Sequence, residues 1–431
     1  MADQTVFVNT FTNGIVGPSA KMVGPVVDGG FIVAQTAAGC WGPMITPELQ
    51  GGHEVASPVL VENAEIGDAI AIRLVSIAVT SDVTASGNDI SNPERCMGDP
   101  YVAAKCPNCG TINPPTEEVG IGENCVVCKI CGKPCSPFKF SNGYTIAFDR
   151  AKTLGITLDE EATKKTASNA KYYMHTPDNS IQNPVLAMQP HDIPGVVARM
   201  CPFVGQLGTV PAVDRPDSHN AGDFGAFLVG ASHKFGIKNY EDLQVTDGHM
   251  DIARARQGAI VIAPVRVKGG GVYVGDMHAM QGDGEIAGHT TDVSGVVTMQ
   301  VTVLKGLNIE GPIILPLYED LPYLAKPLSK KEKAIAKVES EKWNVPIEES
   351  APLAFVGSGK TLNHAVEVAL SRAGKLLDMS VPEVMNRCTI TGNIEIGRAP
   401  GVVTATFRVP VDKLKELGLY DLVAEQYNLL K

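Results

Sequence analysis

Short β-branched runs alternate with turn residues over positions 5–81, and 31–36 and 69–77 have the length and period of strands. Strand-type text resumes near Tyr144 and again over 196–304, where 258–267 and 293–304 are the clearest stretches. Residues 82–140 break this pattern, being rich in Asn, Pro, Gly and Cys with few apolar runs, and read as an inserted module. The last hundred residues take a helical period. Ser329-Lys-Lys-Glu332 is a capping box opening a charged amphipathic helix, and Ser380-Val-Pro-Glu383 is a second, with proline in its first turn. Leu362, Ala365, Val366, Ala369, Leu370, Ala373 and Leu376 recur at helical spacing, so that face packs on a core, and Gly418 stops a last short helix. The chain divides into 1–81, a β part; 82–140, the inserted module; 141–310, a β domain; and 311–431, an α+β part. There is no internal repeat.

Composition adds exclusions. Of 431 residues 44% are hydrophobic and 19% charged, with mean hydropathy +0.05, which describes a folded chain and not a disordered or fibrous one. The net charge of −11 repels nucleic acid and anionic membranes, so neither is expected as a partner. Forty-four glycines and 29 prolines call for many tight turns, and the expected class is mainly β with a smaller α+β part. The first residues carry no basic stretch followed by an apolar one, and no apolar run nears the length of a membrane span, so a cytoplasmic protein is expected. A homo-oligomer is a separate expectation.

Six of the ten cysteines fall between positions 106 and 135. Cys106-Pro-Asn-Cys109-Gly and Cys128-Lys-Ile-Cys131-Gly are two knuckles ending in glycine, separated by 18 residues, a zinc-ribbon spacing. Four thiolates would close a tetrahedron and leave no open position, so the expected zinc is structural. Cys125 and Cys135 leave the register open, because Cys125-Val-Val-Cys128 has knuckle spacing too.

The densest polar text in a β context is Gly275-Asp276-Met277-His278-Ala279-Met280-Gln281-Gly282-Asp283-Gly284-Glu285. On extended strands Asp276 with His278, and Asp283 with Glu285, share a face, and such a set could hold zinc, calcium or manganese and activate water. Local text alone favours the plainer reading, a hairpin turning at Asp283-Gly284 with solvated charges. Asp247-Gly248-His249-Met250-Asp251 has the same chemistry. The histidines at 53, 175, 191, 219, 233, 289 and 364 read singly as surface or core hydrogen-bonding residues. Cys40 and Cys201 read as inert buried thiols before nucleophiles, since neither sits in a Cys-His motif. Ala354-Phe-Val-Gly-Ser-Gly359-Lys360-Thr361 fits a relaxed phosphate loop, but alanine replaces its first glycine and no strand-borne aspartate follows.

These residues resemble the acetamidase/formamidase family. The 276–285 segment carries every fixed letter of its Gly-Asp-x-His-Ala-x-Gln-Gly-Asp-Gly-Glu pattern. Ser57-Pro-Val-Leu-Val-Glu-Asn-Ala-Glu-Ile-Gly-Asp68, Pro202-Phe-Val-Gly-Gln-Leu-Gly-Thr-Val-Pro211 and Ile390-Thr-Gly-Asn-Ile-Glu-Ile396 look like further family segments in the same order. The likeness spans about residues 30–405. His249 stands where the family has asparagine, Thr246 where a histidine often precedes that motif, 214–242 is longer than usual, and the cysteine insert is absent from most members. A branch with such an insert includes γ-lactamases. The resemblance implies a jelly-roll-type β-sandwich joined to the α+β part, and hydrolysis of a small open-chain amide or γ-lactam. Asp276, His278 and Asp251, with His249, would hold a divalent cation, zinc or calcium, or position the carbonyl. Glu285 would act as general base and then acid, and Gln281 with the Gly282 and Gly284 amides would bind the oxyanion or the amide nitrogen. Asp283 belongs to the same set. Two rivals stand beside this reading: a non-enzymatic zinc-ribbon binding protein, and a nucleotide hydrolase using Gly359-Lys360-Thr361.

Overall fold

The computed structural model describes residues 2–39, 48, 52–95, 104–217 and 248–429; Cys40, His219, His233, Thr246 and Asp247 lie outside them. Strands β1 (Asp3–Val8), β2 (Ile15–Val16), β3 (Val23–Thr36), β4 (Val59–Val61) and β5 (Ala69–Val79) come first. β6 (Val83–Ser91) leads into the cysteine module, which holds β7 (Thr116–Glu118) and β8 (Val126–Cys128), and β9 (Phe138–Phe148) returns from it. Next come β10 (Leu154–Thr157), α1 (Glu160–Ala167), α2 (Ala170–Met174) and β11 (Val197–Arg199). β12 (Phe203–Thr209), β13 (Arg215–Pro216), β14 (Ile260–Pro264), β15 (Val272–His278), β16 (Gly295–Leu304) and β17 (Ile313–Leu315) follow. The C-terminal part holds α3 (Lys330–Trp343), β18 (Ser350–Ser358), α4 (Leu362–Leu377), α5 (Val381–Thr391), β19 (Asn393–Arg398), β20 (Val402–Pro410), α6 (Val411–Glu416) and α7 (Tyr420–Gln426).

Twelve strands form one sheet in the order β12-β15-β4-β3-β16-β5-β14-β17-β18-β20-β19, with β1 beside β3. The nearly continuous apolar runs of β5 and β14 follow from burial on both faces. Ile70, Ile72, Val261 and Ala263 join one core, while Ala69, Ala71, Ile260 and Ile262 join a second with Ala365, Ala369, Ala373 and Leu377 of α4. Each large side chain buried this way contributes about 1.5–3 kcal/mol. β16 has a core on one side only, and its alternating burial shows it. A second sheet, β11-β10-β9-β6, carries the cysteine module beyond Ser91 and Phe138, which pair across the β6/β9 hairpin.

The strand-to-helix step from β18 to α4 explains the phosphate-loop text. A Cβ at Gly357 would lie 2.0 Å from the Ala365 carbonyl, and the Gly359 N–H donates to the Gly401 carbonyl at 2.9 Å. These glycines admit a helix and close a turn. Ser329 and Glu332 form the full capping box of α3, but at α5 only Ser380 caps, because the Glu383 carboxylate turns to Arg387 at 3.1 Å. Gly418, at φ 67°, ends α6 as expected, yet the chain continues into α7. No described helix is long and apolar enough to cross a membrane.

Candidate active site

The C-terminal end of β15 brings His278 against Phe203 and Asp276 against Gly205 of β12. Strand alternation alone does not explain how this cluster closes. Asp276, Asp251 and Glu285 have φ of 50°, 52° and 42°, a left-handed conformation costing roughly 1–3 kcal/mol each for a residue with a side chain. Three strained acids in one place mark a site that the fold stabilises elsewhere. A Cβ on Gly205 would lie 2.6 Å from carboxylate oxygens of both Asp251 and Asp276, so glycine is what leaves room for them.

Asp276 is the hub. Its Oδ1 lies 2.9 Å from Nε2 of His278 and 3.9 Å from Nε2 of His53, and its Oδ2 lies 3.7 Å from Nε2 of His249. His249 Nε2 is also 3.1 Å from Asp251, and His278 Nε2 is 3.2 Å from Asp292. Arg398, at the end of β19, pairs with Glu285 and sits 3.8 Å from Asp251. The three histidines and the carboxylates of Asp251, Asp276, Glu285 and Asp292 are all buried. The Phe203 ring meets His278 edge-on at 4.8 Å and helps to keep water out.

Two glutamines orient two of the histidines. Gln281 donates to the carbonyls of Asp251 (2.8 Å) and Gly397 (3.1 Å), so its Oε1, 3.1 Å from His278 Nδ1, accepts from that nitrogen. Gln206 likewise donates to the Asp217 carbonyl and faces His53 Nδ1 with Oε1 at 2.7 Å. Asp217 holds the same turn by accepting from the His53 N–H at 2.8 Å and the Thr12 hydroxyl at 2.9 Å. With Nδ1 facing a glutamine oxygen, Nε2 of each ring is the nitrogen turned toward Asp276, a proton donor to the carboxylate when protonated and a metal ligand when not.

Burial lowers the His53 pKa to about 4, so its ring is neutral at neutral pH. Burial opposes ionisation of Asp276, but the charges of His278, His53 and His249 hold it well below the usual carboxylate range. Burial also presses His278 down, and Asp276 and Asp292 outweigh it, raising the pKa well above 6.5. Desolvation pushes Glu285 up to about 7 against the pull of Arg398, and Asp292 well above its ordinary value.

The donor set fits a cation. Two triads, His53-His249-Asp276 and Asp251-Asp276-His278, each keep their ligand atoms within 4.8 Å of one another and share Asp276. Both carboxylate oxygens of Asp251 and of Asp292, and Oε1 of Glu285, receive no hydrogen bond. Each carboxylate buried here as an ion carries a desolvation penalty of several kcal/mol, which compensating positive charge would offset.

The cysteine module gathers its own set. Cys106, Cys109, Cys128 and Cys131 place their sulfurs within 4.8 Å of one another. Gly110 and Gly132, at φ 74° and 67°, close matching turns in which their N–H groups donate to Cys106 and Cys128 carbonyls at 2.9 and 2.7 Å. Cys125 makes no such turn, because Val126–Cys128 is strand. Cys125 and Cys135 are buried, and neither is among the four sulfurs that gather. We expect Cys109→Ser and Cys131→Ser to lose about one equivalent of zinc per chain relative to the parent, since binding and folding of such a module are coupled. Unchanged metal content in both variants would remove these ligands from consideration.

Asp276, His278, Gln281, Glu285, His249 and Asp251 therefore converge. Asp283 does not: it is exposed and lies 3.6 Å from Arg254. The tight solvated hairpin does not form either: the chain folds back with His278 bridging Asp292, but through a wide loop in which Gly284 pairs with Arg398 and Asp276, His278 and Glu285 are buried. Cys201 is exposed, not buried, since it follows the exposed edge strand β11. His53, Asp292, Arg398 and Gln206 enter the site without having been singled out from sequence. Two of them had a signal: Gln206 lies inside the Pro202–Pro211 family segment, and Arg398 lies two residues beyond the Ile390–Ile396 segment.

The acetamidase/formamidase family model matches residues 32–235 and 242–415. The chain is 29% identical over 123 residues to the formamidase of Methylophilus methylotrophus, covering 26% of this chain and 30% of that protein. It spans less than a third of the length of the curated relatives it matches. The structure is similar to acetamidases of Yersinia enterocolitica (15% identity, 94% and 92% of the two chains, TM-score 0.52) and Bacillus halodurans (14%, 96% and 99%, TM-score 0.51). These two share the fold. With its buried acid and histidine centre built from the family's own segments, this chain belongs to the acetamidase/formamidase family.

Proposed function

We propose that the chain hydrolyses the C–N bond of small amides, open-chain or γ-lactam, to a carboxylate and ammonia or an amine. The observation that carries this is the convergence of three buried histidines on Asp276 beside a buried Glu285 whose pKa lies near neutrality. Amide hydrolysis needs an activated water, a stabilised oxyanion and a proton for the departing nitrogen.

Asp276, His278, Asp251, His249 and His53 would hold a divalent metal, zinc or calcium, which when bound would acidify a water and polarise the substrate carbonyl. Glu285 takes the water's proton at Oε1, while Oε2 stays on Arg398, and returns that proton to the leaving nitrogen. Arg398 keeps the carboxylate aimed and offsets negative charge developing nearby. Gln281 orients His278 instead of binding the oxyanion, because its amide hydrogens are committed to two backbone carbonyls. The Gly284 N–H is committed to the Gly397 carbonyl in the same way. The cysteine module holds zinc structurally, apart from these steps. A binding protein without activity would have no use for this buried, strained centre.

Incubation with a panel of amides and lactams, read as ammonia or ring-opened acid, tests the proposal. The pH profile adds a sign. Glu285 must be ionised to accept a proton, so kcat should be full above a pKa of about 7 and fall about tenfold per unit as pH drops below it. A flat profile between pH 5 and 8, measured where the fold is intact, would remove Glu285 as the base.

A further inference from the structure

We propose that Asp89 and His289 are positioning residues that tie the cysteine module to the loop carrying Glu285, so that the module's folded state sets the alignment of that carboxylate. This rests on the amidase reading of the site. His289 is 4% exposed, with Nε2 3.0 Å from the Asp89 carboxylate, whose side chain is 9% exposed. An ion pair this dry is costly to build and strongly destabilising to break, so it holds two elements at a fixed separation.

On one side Asp89 belongs to β6, at a register shift after Asn88, where a bulge re-aims the side chain. Two residues on, Ser91 is the last residue paired with β9. Beyond it the base of the module closes, with Asn92 N–H donating to the Pro137 carbonyl at 2.7 Å and Arg95 Nη1 to the Ser136 carbonyl at 3.0 Å. On the other side His289 lies four residues after Glu285, in a loop closed by the Gly288 N–H to the Glu285 carbonyl at 2.9 Å and by the Thr290 hydroxyl to the Met280 carbonyl at 2.7 Å. A second tie from β6 to the same loop is the Thr84 hydroxyl, which donates to the Asp292 carbonyl at 2.7 Å.

The strained Glu285 is thus clamped from two directions. β19 grips it through Arg398 and through the Ala399 N–H, which donates to the Gly284 carbonyl at 2.7 Å, and β6 grips its loop through His289 and Asp292. A left-handed glutamate persists only when its surroundings over-determine it. The β6 grip begins two residues from the base of the module, so loosening the module loosens the catalytic loop.

The test pairs kinetics with hydrogen exchange of the amides of residues 284–292. Asp89→Asn should lower kcat by on the order of 10- to 100-fold with KM little changed, and speed exchange in that segment, while Asp89→Glu should restore part of both. Cys109→Ser should move both readouts in the same direction, and Asp89→Asn combined with Cys109→Ser should be no worse than the more impaired single variant. If Cys109→Ser does not accumulate folded, Arg95→Ala, which loosens the base of the module and keeps all four thiols, replaces it. Wild-type exchange in Asp89→Asn, or losses that add in the double variant, would overturn the proposal. Should the parent hydrolyse none of the panel, the amidase reading fails and exchange alone decides the coupling.

Discussion

Asp276→Asn is expected to cost about 10²–10⁴ in turnover. The carboxylate reaches His53, His249 and His278 together and is shared by both candidate ligand triads. Asparagine keeps its size and removes its charge, forfeiting several kcal/mol of charge stabilisation at about 1.4 kcal/mol per decade of rate. The histidines lose the anion that orders them, so metal held at the buried centre should be lost with activity, while metal in the cysteine module, in a separate insert, is retained. Metal analysis beside steady-state kinetics reads both, and near-wild-type turnover with unchanged metal would remove Asp276 as the hub.

Glu285→Gln is expected to lower kcat by about 10²–10⁴, the range for loss of a general base, with little change in KM. The amide matches the shape of the acid but cannot accept and return a proton, and it leaves Arg398 without its carboxylate partner. Because the acid is already partly protonated at pH 7, its pKa being about 7, the substitution changes the charge of the folded state less than it changes the chemistry. A variant that keeps wild-type kcat would show that another group moves the proton.

What the sequence could and could not reveal follows from where each residue's partners lie. Ala69–Val79 and Gly295–Leu304 were legible because their burial is periodic or continuous along the chain itself. Ser329 and Ser380 announced their helices through local hydrogen bonds. The 276–285 segment concentrates site residues in ten positions, and reading it as a family segment overrode the hairpin that local text favoured. His53 could not be found that way. Its neighbours Gly52 and Glu54 give no spacing signal, and its role comes from Gln206 and Asp276, far off in sequence. Pairing Asp283 with Glu285 failed because alternation presumes extended backbone, and Glu285 at φ 42° turns away from its neighbour's face. Likewise the amide of Gln281 looked available until the carbonyls of Asp251 and Gly397 were seen to occupy it.

The most direct measurement is product formation by the purified full chain from formamide, acetamide and a γ-lactam at pH 8, with Glu285→Gln run in parallel. The account predicts ammonia or ring-opened acid from at least one of these from the parent, and a rate at least about 10²-fold lower from the variant. Equal rates from the two proteins, or no product above the uncatalysed rate across the panel from a folded, metal-replete parent, would contradict it.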